Sequence, residues 1–307
     1  MPVKTSSQHL VSICDLDRQQ IEEILVKAKE FKQNPRQSLL QGAVLGTCFF
    51  EPSTRTRLSF ESAMKRLGGD VIGFSDNKVT SFQKGESLAD TIRVIGGYVD
   101  VIVLRHPLEG AAKLAAEVSD VPVINAGDGT NEHPTQTLLD LFSIWESQGT
   151  LEGLHIGVMG DLLNGRTVHS LVKACSLFNT RLYFISPPSL QLPADICDEL
   201  KRNSALFSFH HTLDDVMGQL DILYMTRIQK ERMAVHGDSH LPRSGYVLRP
   251  ELLDGVKETF KILHPLPRVD ELDPLIDATP YAYYFRQAQN GIPVRQAVLS
   301  GVLGGNS

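Results

Sequence analysis

At 307 residues and 42% hydrophobic content the chain outgrows one single-core domain, so two globular domains of about 150 residues each are expected. Thirty Lys plus Arg against 36 Asp plus Glu give a formal charge of −6, which argues against nucleic acid or an anionic membrane surface as the main partner and makes any cationic site local. The four cysteines, at 14, 48, 175 and 197, form no Cys-x-x-Cys pair and have no histidine at zinc-ligand spacing; with no basic-then-apolar leader and no apolar run of about 18 residues, a soluble cytoplasmic protein with reduced thiols, no metal site and no membrane span is expected.

An amphipathic helix from about Asp15 to Lys32 opens the chain. Short β-rich runs then alternate with helical patterns at Val44–Phe50, Val71–Phe74, Asp100–Leu104 and Val121–Asn125. A helix over Pro134–Ser147 follows, and the rhythm restarts at His155–Met159, Arg181–Ile185, Leu206–Phe209, Asp221–Met225 and Phe260–Leu263. This alternation predicts an α/β fold of two domains, each a parallel sheet flanked by helices. The expected division is 1–133, 134–288 and a C-terminal helix at 289–307 returning to the first domain. In that last segment, apolar from Tyr281 to Leu303, Gly291 and Pro293 are expected to interrupt or start the helix.

Behind the first apolar run, Glu51-Pro52-Ser53-Thr54-Arg55-Thr56-Arg57 places hydroxyls and guanidinium groups at a helix start. Pro52 ends the strand, Ser53 or Thr54 caps the helix, and Leu58, Met64 and Leu67 continue it. Free backbone N–H groups there favour an anion, and Arg55 adds a bidentate grip on phosphate oxygens. An ordinary capped helix with solvated arginines gives the same local signal, so the other strand ends carry weight. Ligands of open α/β sheets sit beyond the carboxyl ends of strands. After the later runs come Arg105-His106, His133-Pro134-Thr135-Gln136, Arg166-Thr167, Thr226-Arg227-Ile228-Gln229 and His264-Pro265-Leu266-Pro267-Arg268. Arginine or histidine thus follows six of the inferred strands in an acidic protein. The Gly160 to Gly165 turn lacks Gly-x-Gly-x-x-Gly spacing, so no nicotinamide site and no other cofactor is expected.

Ser-Thr-Arg-Thr-Arg at 53–57, His-Pro-Thr-Gln at 133–136 and His-Pro-Leu-Pro at 264–267 resemble the transcarbamoylases. Lys84-Gly85-Glu86-Ser87, Met225-Thr226-Arg227-Ile228-Gln229 and Pro265 after His264 resemble the branch of that family whose acceptor is aspartate. The similarity runs from the opening helix to Arg295. It implies that carbamoyl phosphate binds the first domain and L-aspartate the second, and that the amine attacks the carbamoyl carbon. The products implied are N-carbamoyl-L-aspartate and phosphate, the committed step of pyrimidine biosynthesis. An ornithine-type transcarbamoylase and a non-catalytic anion-binding subunit are the alternatives.

On that resemblance Ser53, Thr54, Arg55 and Thr56 hold the phosphate, while Arg105, His133 and Thr56 donate to the carbamoyl oxygen as its charge grows. Gln136, one turn beyond His133, contacts the carbamoyl amide. Aspartate brings two carboxylates, which Arg166 and Arg227 match as cationic forks, with Thr167 beside Arg166 and Gln229 adding a neutral hydrogen bond. The carbonyls of Leu266 and Pro267 face the amine or the carbamoyl NH2. The departing phosphate is the expected proton acceptor. Ser81 and Lys84 are implied to reach a neighbouring subunit's site in a homotrimer, although Thr80 remains an equal choice for the loop hydroxyl. Glu51 is expected to pair with Arg166 and Arg232 on domain closure. Whether regulatory chains join the trimer is not readable from the sequence.

Overall fold

The computed structural model describes residues 9–75, 85–228 and 246–304. The chain divides into two compact units, Met1–Phe142 with Gln289–Ser307, and Ser143–Ala288. Among the described residues no helix is long and apolar enough to cross a membrane.

The first unit opens with α1 (Arg18–Gln33), started by a reciprocal cap in which Gln20 N donates to Asp17 and Asp17 N donates to the Gln20 side chain. Its sheet holds β1 (Val44–Phe49), β2 (Asp70–Phe74), β3 (Val101–His106) and β4 (Val123–Asp128), all parallel in the order β2-β1-β3-β4. Crossover helices α2 (Thr54–Arg66), α3 (Leu88–Gly96) and α4 (Ala111–Val118) connect them. The inner strands β1 and β3 are buried almost throughout, and both faces must be covered, which is why they read as continuous apolar runs. β2, at the edge, is largely exposed. From β1 the chain moves outward to β2 and comes back on the other side as β3, so the strand order reverses between β1 and β3. Cys48 and Phe50 pack there with Ile92, Ile102, Leu104, Ala112 and Val123. Burial pushes the Cys48 thiol up to about 12, which makes it an inert core group.

One expectation is corrected in this unit, that Gly291 and Pro293 interrupt or start the last helix; Leu58 and Met64 do continue α2 with Leu67 at its C-cap, as expected. Leu58 is 58% exposed, whereas Thr56, Phe60, Ala63 and Met64 form the buried face of α2. A residue two positions before Phe60 points to the opposite side of a helix. The C-terminal helix α8 (Tyr284–Gly304) runs unbroken through Pro293. A proline inside a helix costs about 3 kcal/mol. Burial of Val294, Ala297, Val298 and Leu299, each at 3% exposure or less, offsets it at roughly 1.5–3 kcal/mol for each large side chain. Gly291 serves space instead of a break: a Cβ there would lie 2.4 Å from Arg295 Nη1.

α8 does return to the first unit as expected. Lys32 Nζ at the end of α1 donates to Asn290 Oδ1 at 2.7 Å, Gln296 Nε2 donates to Pro35 O at 3.0 Å, and the Arg295 guanidinium lies 4.8 Å over the Phe60 ring of α2. The helix α5 (Pro134–Gln148) begins in the first unit, and the division between units falls within it, after Phe142.

The second unit repeats the plan. β5 (His155–Met159), β6 (Arg181–Ile185), β7 (Leu206–His210), β8 (Ile222–Met225) and β9 (Lys261–Leu263) form a parallel sheet in the order β7-β6-β5-β8-β9, with α6 (Arg166–Cys175) and α7 (Ala194–Arg202) among its connections. Its core gathers Met159, Ile185, Leu223, Met225, Leu248, Phe260, Ile262 and Tyr284. Here the order reverses between β5 and β8.

Candidate active site

Each unit presents several of its candidate residues at its own reversal of strand order, where adjacent strands send their connections to opposite sides and leave a crevice at their carboxyl ends, and the others after the neighbouring edge strand. In the first unit, Glu51 to Thr56 follow β1 and Arg105 ends β3, with Phe49 and Arg105 in register and Phe50 N donating to Arg105 O at 2.8 Å. In the second, Arg166 opens the helix after β5 and Arg227 follows β8, with Met159 and Met225 in register.

Ser53 occupies the N-cap position of α2 in extended backbone (φ −156°, ψ 90°), and its hydroxyl makes no cap hydrogen bond. The first-turn N–H groups of α2 are therefore not closed off by that side chain, which suits an anion. Thr54 and Arg55 are exposed and Thr56 is buried. Exposure of the Arg55 residue as a whole coexists with partial desolvation of its guanidinium, which holds its pKa below the usual arginine value. Arg57 is committed elsewhere, because its Nε donates to Glu61 Oε1 at 2.6 Å, one turn on, in a helix-surface ion pair.

Arg105 is aimed by two acceptors. Nη1 donates to Ala126 O at 3.1 Å, and Nη2 lies 2.5 Å from Glu51 Oε1, with only 12% of the arginine side chain exposed. Glu51 thus has an ion-pair partner within the first unit that the sequence does not single out. His133 is buried at the start of α5, where its carbonyl accepts from Gln136 N and Thr137 N at 2.9 and 3.2 Å. Gln136, half-buried, donates through Nε2 to Asp140 Oδ1 at 2.8 Å.

The loop that delivers His133 is braced by buried acids that sequence reasoning missed. Asp128 accepts from Gly110 N (3.0 Å), Glu132 N (3.3 Å) and Asn125 Nδ2 (2.9 Å). Glu132 accepts from Ser12 Oγ and Ile13 N, both at 2.8 Å. Their signal in the chain is the polar run Asn125 to Glu132 behind a strand, but nothing in it separates a brace from a solvated turn. Buried carboxylates need such donors to be held at low cost. His106, beside the Phe50 ring at 4.9 Å, is driven toward its neutral form by burial, against the raising pull of Glu51 and Asp128.

In the second unit the turn after β5 is set by backbone fit. Gly160 has φ +125°, and a Cβ there would come within 2.2 Å of Thr226 O, so a residue with a side chain would drive β5 and β8 apart at the place where Arg166 and Arg227 emerge. Buried Asp161 accepts from Asn164 N at 2.9 Å and from Asn164 Nδ2, closing the turn into α6. Arg166, Thr167 and Arg227 are half-buried.

After β9 the chain turns through His264 to Arg268. Leu266 N donates to His264 Nδ1 at 2.8 Å, which leaves the ring proton on Nε2, 2.7 Å from Glu271 Oε1. Glu271 also accepts from Val269 N and Asp270 N. Burial alone would raise the Glu271 carboxyl, but the His264 and backbone donors hold it below the usual carboxylate range. Leu266 sits at φ +57°, a conformation that favours glycine, and the Leu266-Pro267 bond is cis. Arg268 is engaged by Asp277 through both carboxylate oxygens, which makes it structural. Ser81, Lys84, Gln229 and Arg232 lie outside the described residues.

Comparison with known proteins places these features in a family. Residues 8–146 match the model of the aspartate/ornithine carbamoyltransferase carbamoyl-P binding domain, and residues 152–302 match that of the Asp/Orn binding domain. The chain is 56% identical over 298 residues to the aspartate carbamoyltransferase catalytic subunit 2 of Shewanella halifaxensis, covering 97% of this chain and 96% of that one. It is 53% identical to the catalytic subunit from Chromobacterium violaceum, covering 96% and 98%. Among solved structures, the catalytic subunit of M. Jannaschii aspartate transcarbamoylase is similar with a TM-score of 0.91 at 51% identity, over 98% of this chain and 99% of that one. Aspartate transcarbamoylase from Trypanosoma cruzi, solved with N-(phosphonacetyl)-L-aspartic acid, gives 0.92 at 39% identity over 96% and 95%. With both domain models matched in order, and with relatives similar along nearly the whole length, the chain belongs to the aspartate/ornithine carbamoyltransferase family.

Proposed function

We propose that the chain transfers the carbamoyl group of carbamoyl phosphate to the amine of L-aspartate, giving N-carbamoyl-L-aspartate and phosphate in pyrimidine biosynthesis. The observation that carries this reading is the pairing of site chemistry with relatives: anion-directed groups stand at both strand-order reversals, and the Trypanosoma cruzi neighbour was solved with carbamoyl phosphate and aspartate together. The first unit is the carbamoyl-phosphate half and the second the aspartate half.

In the reaction the amine nitrogen bonds to the carbamoyl carbon, the carbon–oxygen bond to phosphate breaks, and the amine proton passes to the departing phosphate. Ser53, Thr54, Arg55 and Thr56 hold the phosphate. Arg105, His133 and Thr56 donate to the carbonyl oxygen, where charge builds in the tetrahedral intermediate. Glu51 competes with that oxygen for Arg105, so substrate entry exchanges one anionic partner for another and frees Glu51 for its role with Arg166 and Arg232 in closure. Arg166, Thr167, Arg227 and Gln229 hold the two carboxylates of aspartate. Leu266 and Pro267 offer carbonyls to the amine or the carbamoyl NH2. Ser81 and Lys84 complete a neighbouring subunit's site in a cytoplasmic homotrimer.

Phosphate release is the direct test: with carbamoyl phosphate, L-aspartate should be carbamoylated and L-ornithine should not, and the reverse preference would discard the assignment. Mixing Lys84→Ala chains with Arg55→Ala chains should restore activity in hybrid trimers; no recovery would remove the shared-site claim. The pH–rate profile of His133→Asn should keep its basic limb if phosphate takes the proton.

A further inference from the structure

Gln136 and Asp140 are one turn apart on α5, and the 2.8 Å contact between them joins Gln136 Nε2 to Asp140 Oδ1. An ionised carboxylate has no proton to give, so the atom that faces it is the amide NH2, and the orientation of the carboxamide is dictated. Asp140 is fully buried, and a charge in that setting requires a partner. Arg295, 3% exposed on α8, is a buried cation whose charge Asp140 supports: burial lowers its guanidinium to about 9 against the raising pull of Asp140, and it stays a cation at neutral pH. The same guanidinium lies over Phe60 of α2 in space left by Gly291. One buried ion therefore stands over the helix that follows β1 and electrostatically supports the acid on the helix that carries His133 and Gln136.

We infer that Asp140 is a positioning residue that, through its hydrogen bond from Gln136 Nε2, fixes Gln136 as a hydrogen-bond acceptor toward the acyl group. With one N–H of its NH2 committed to Asp140, the planar amide presents Oε1 on the side away from Asp140, toward a ligand. That oxygen recognises the NH2 of a carbamoyl group and gains nothing from the methyl of an acetyl group, so the pair selects carbamoyl phosphate over other acyl phosphates. The inference rests on the carbamoyl-transfer reading above and traces its donor specificity to a carboxylate that does not itself touch the donor.

The test measures the carbamoyl phosphate KM and the inhibition constant of acetyl phosphate on the full-length enzyme. Asp140→Asn keeps the volume but, being able to donate as well as accept, lets the Gln136 amide turn over. Roughly tenfold loss of preference for carbamoyl over acetyl phosphate is expected, the equivalent of one hydrogen bond. In a Gln136→Met background the same change should alter the preference no further. An unchanged preference in Asp140→Asn, or an undiminished effect in Gln136→Met, would overturn the inference. Should Asp140→Asn fail to fold, the wild-type enzyme decides: the Gln136 side-chain amide, identified by its loss in Gln136→Met, should exchange slowly with solvent, and rapid exchange would overturn the inference. Absence of any carbamoyl transfer by the wild type would strike the proposed reaction instead, while the amide exchange still settles the role of Asp140.

Discussion

The two units use one topology for opposite demands. In the first, acids aim side chains: Glu51 lies against Arg105 and Asp140 orients Gln136, over a loop before His133 that buried Asp128 and Glu132 brace through the backbone. In the second, acids aim backbone: Asp161 closes the turn into α6, and Glu271 gathers His264, Val269 and Asp270 around the turn that carries Leu266 and Pro267. The difference fits the chemistry proposed for the two halves. Growing negative charge on an oxygen calls for donors, and the strongest donors are cationic side chains. A proton-bearing nitrogen calls for acceptors, and a fixed turn supplies carbonyls without placing another charge in the site.

Four measurements bear on that contrast, and each could undo part of it. The largest effect should come from Arg105→Ala, which removes the donor proposed for the developing oxyanion and should lower kcat by about 10²- to 10³-fold. A change confined to the carbamoyl phosphate KM would move Arg105 from stabilising the transition state to simple binding. Next, Arg227→Ala should raise the aspartate KM by roughly 10- to 100-fold, the loss of one charge-assisted bond, and leave the carbamoyl phosphate KM within about twofold. If both constants rose together, the separation of substrates between units would fail.

Glu271→Gln should cost about tenfold in kcat/KM for aspartate, because an amide cannot accept from His264 and two backbone N–H groups together. The same variant carries a pH signature. The folded-state pKa of Glu271 is depressed, so its stabilising contribution is complete above the unfolded carboxylate value of about 4.3 and fades as pH falls through the lower folded value. Acid titration of the unfolding midpoint should therefore be less steep in Glu271→Gln than in the wild type; equal slopes would mean that Glu271 is not held as a charged acceptor. The smallest effect should come from Arg57→Ala: at most about 0.5 kcal/mol of stability and no change in phosphate affinity, as befits a helix-surface pair with Glu61. Weakened phosphate binding in that variant would return Arg57 to the site.

Strands and their carboxyl-end cations were legible because buried parallel strands leave unmistakable apolar runs, and the runs at His155–Met159 and Arg181–Ile185 match β5 and β6 residue for residue. Roles within a motif were less so. Arg55 and Arg57 look alike in sequence, yet one helical turn toward Glu61 commits only the second. Asp128, Glu132 and Asp140 resemble surface acids because their burial depends on strands and helices far away in the chain. Pro293 misled for a related reason: a local rule about helix interiors lost to the burial of four neighbouring apolar side chains.

The first unit is discontinuous in the chain, and α8 supplies its last packing element. During synthesis α2 emerges early, but Phe60 acquires the ion that covers it only when Arg295 has left the ribosome. The second unit, a single uninterrupted stretch, is whole before then. The half of the enzyme made first is thus the half finished last, which ties competence to grip carbamoyl phosphate to the near-completion of the polypeptide.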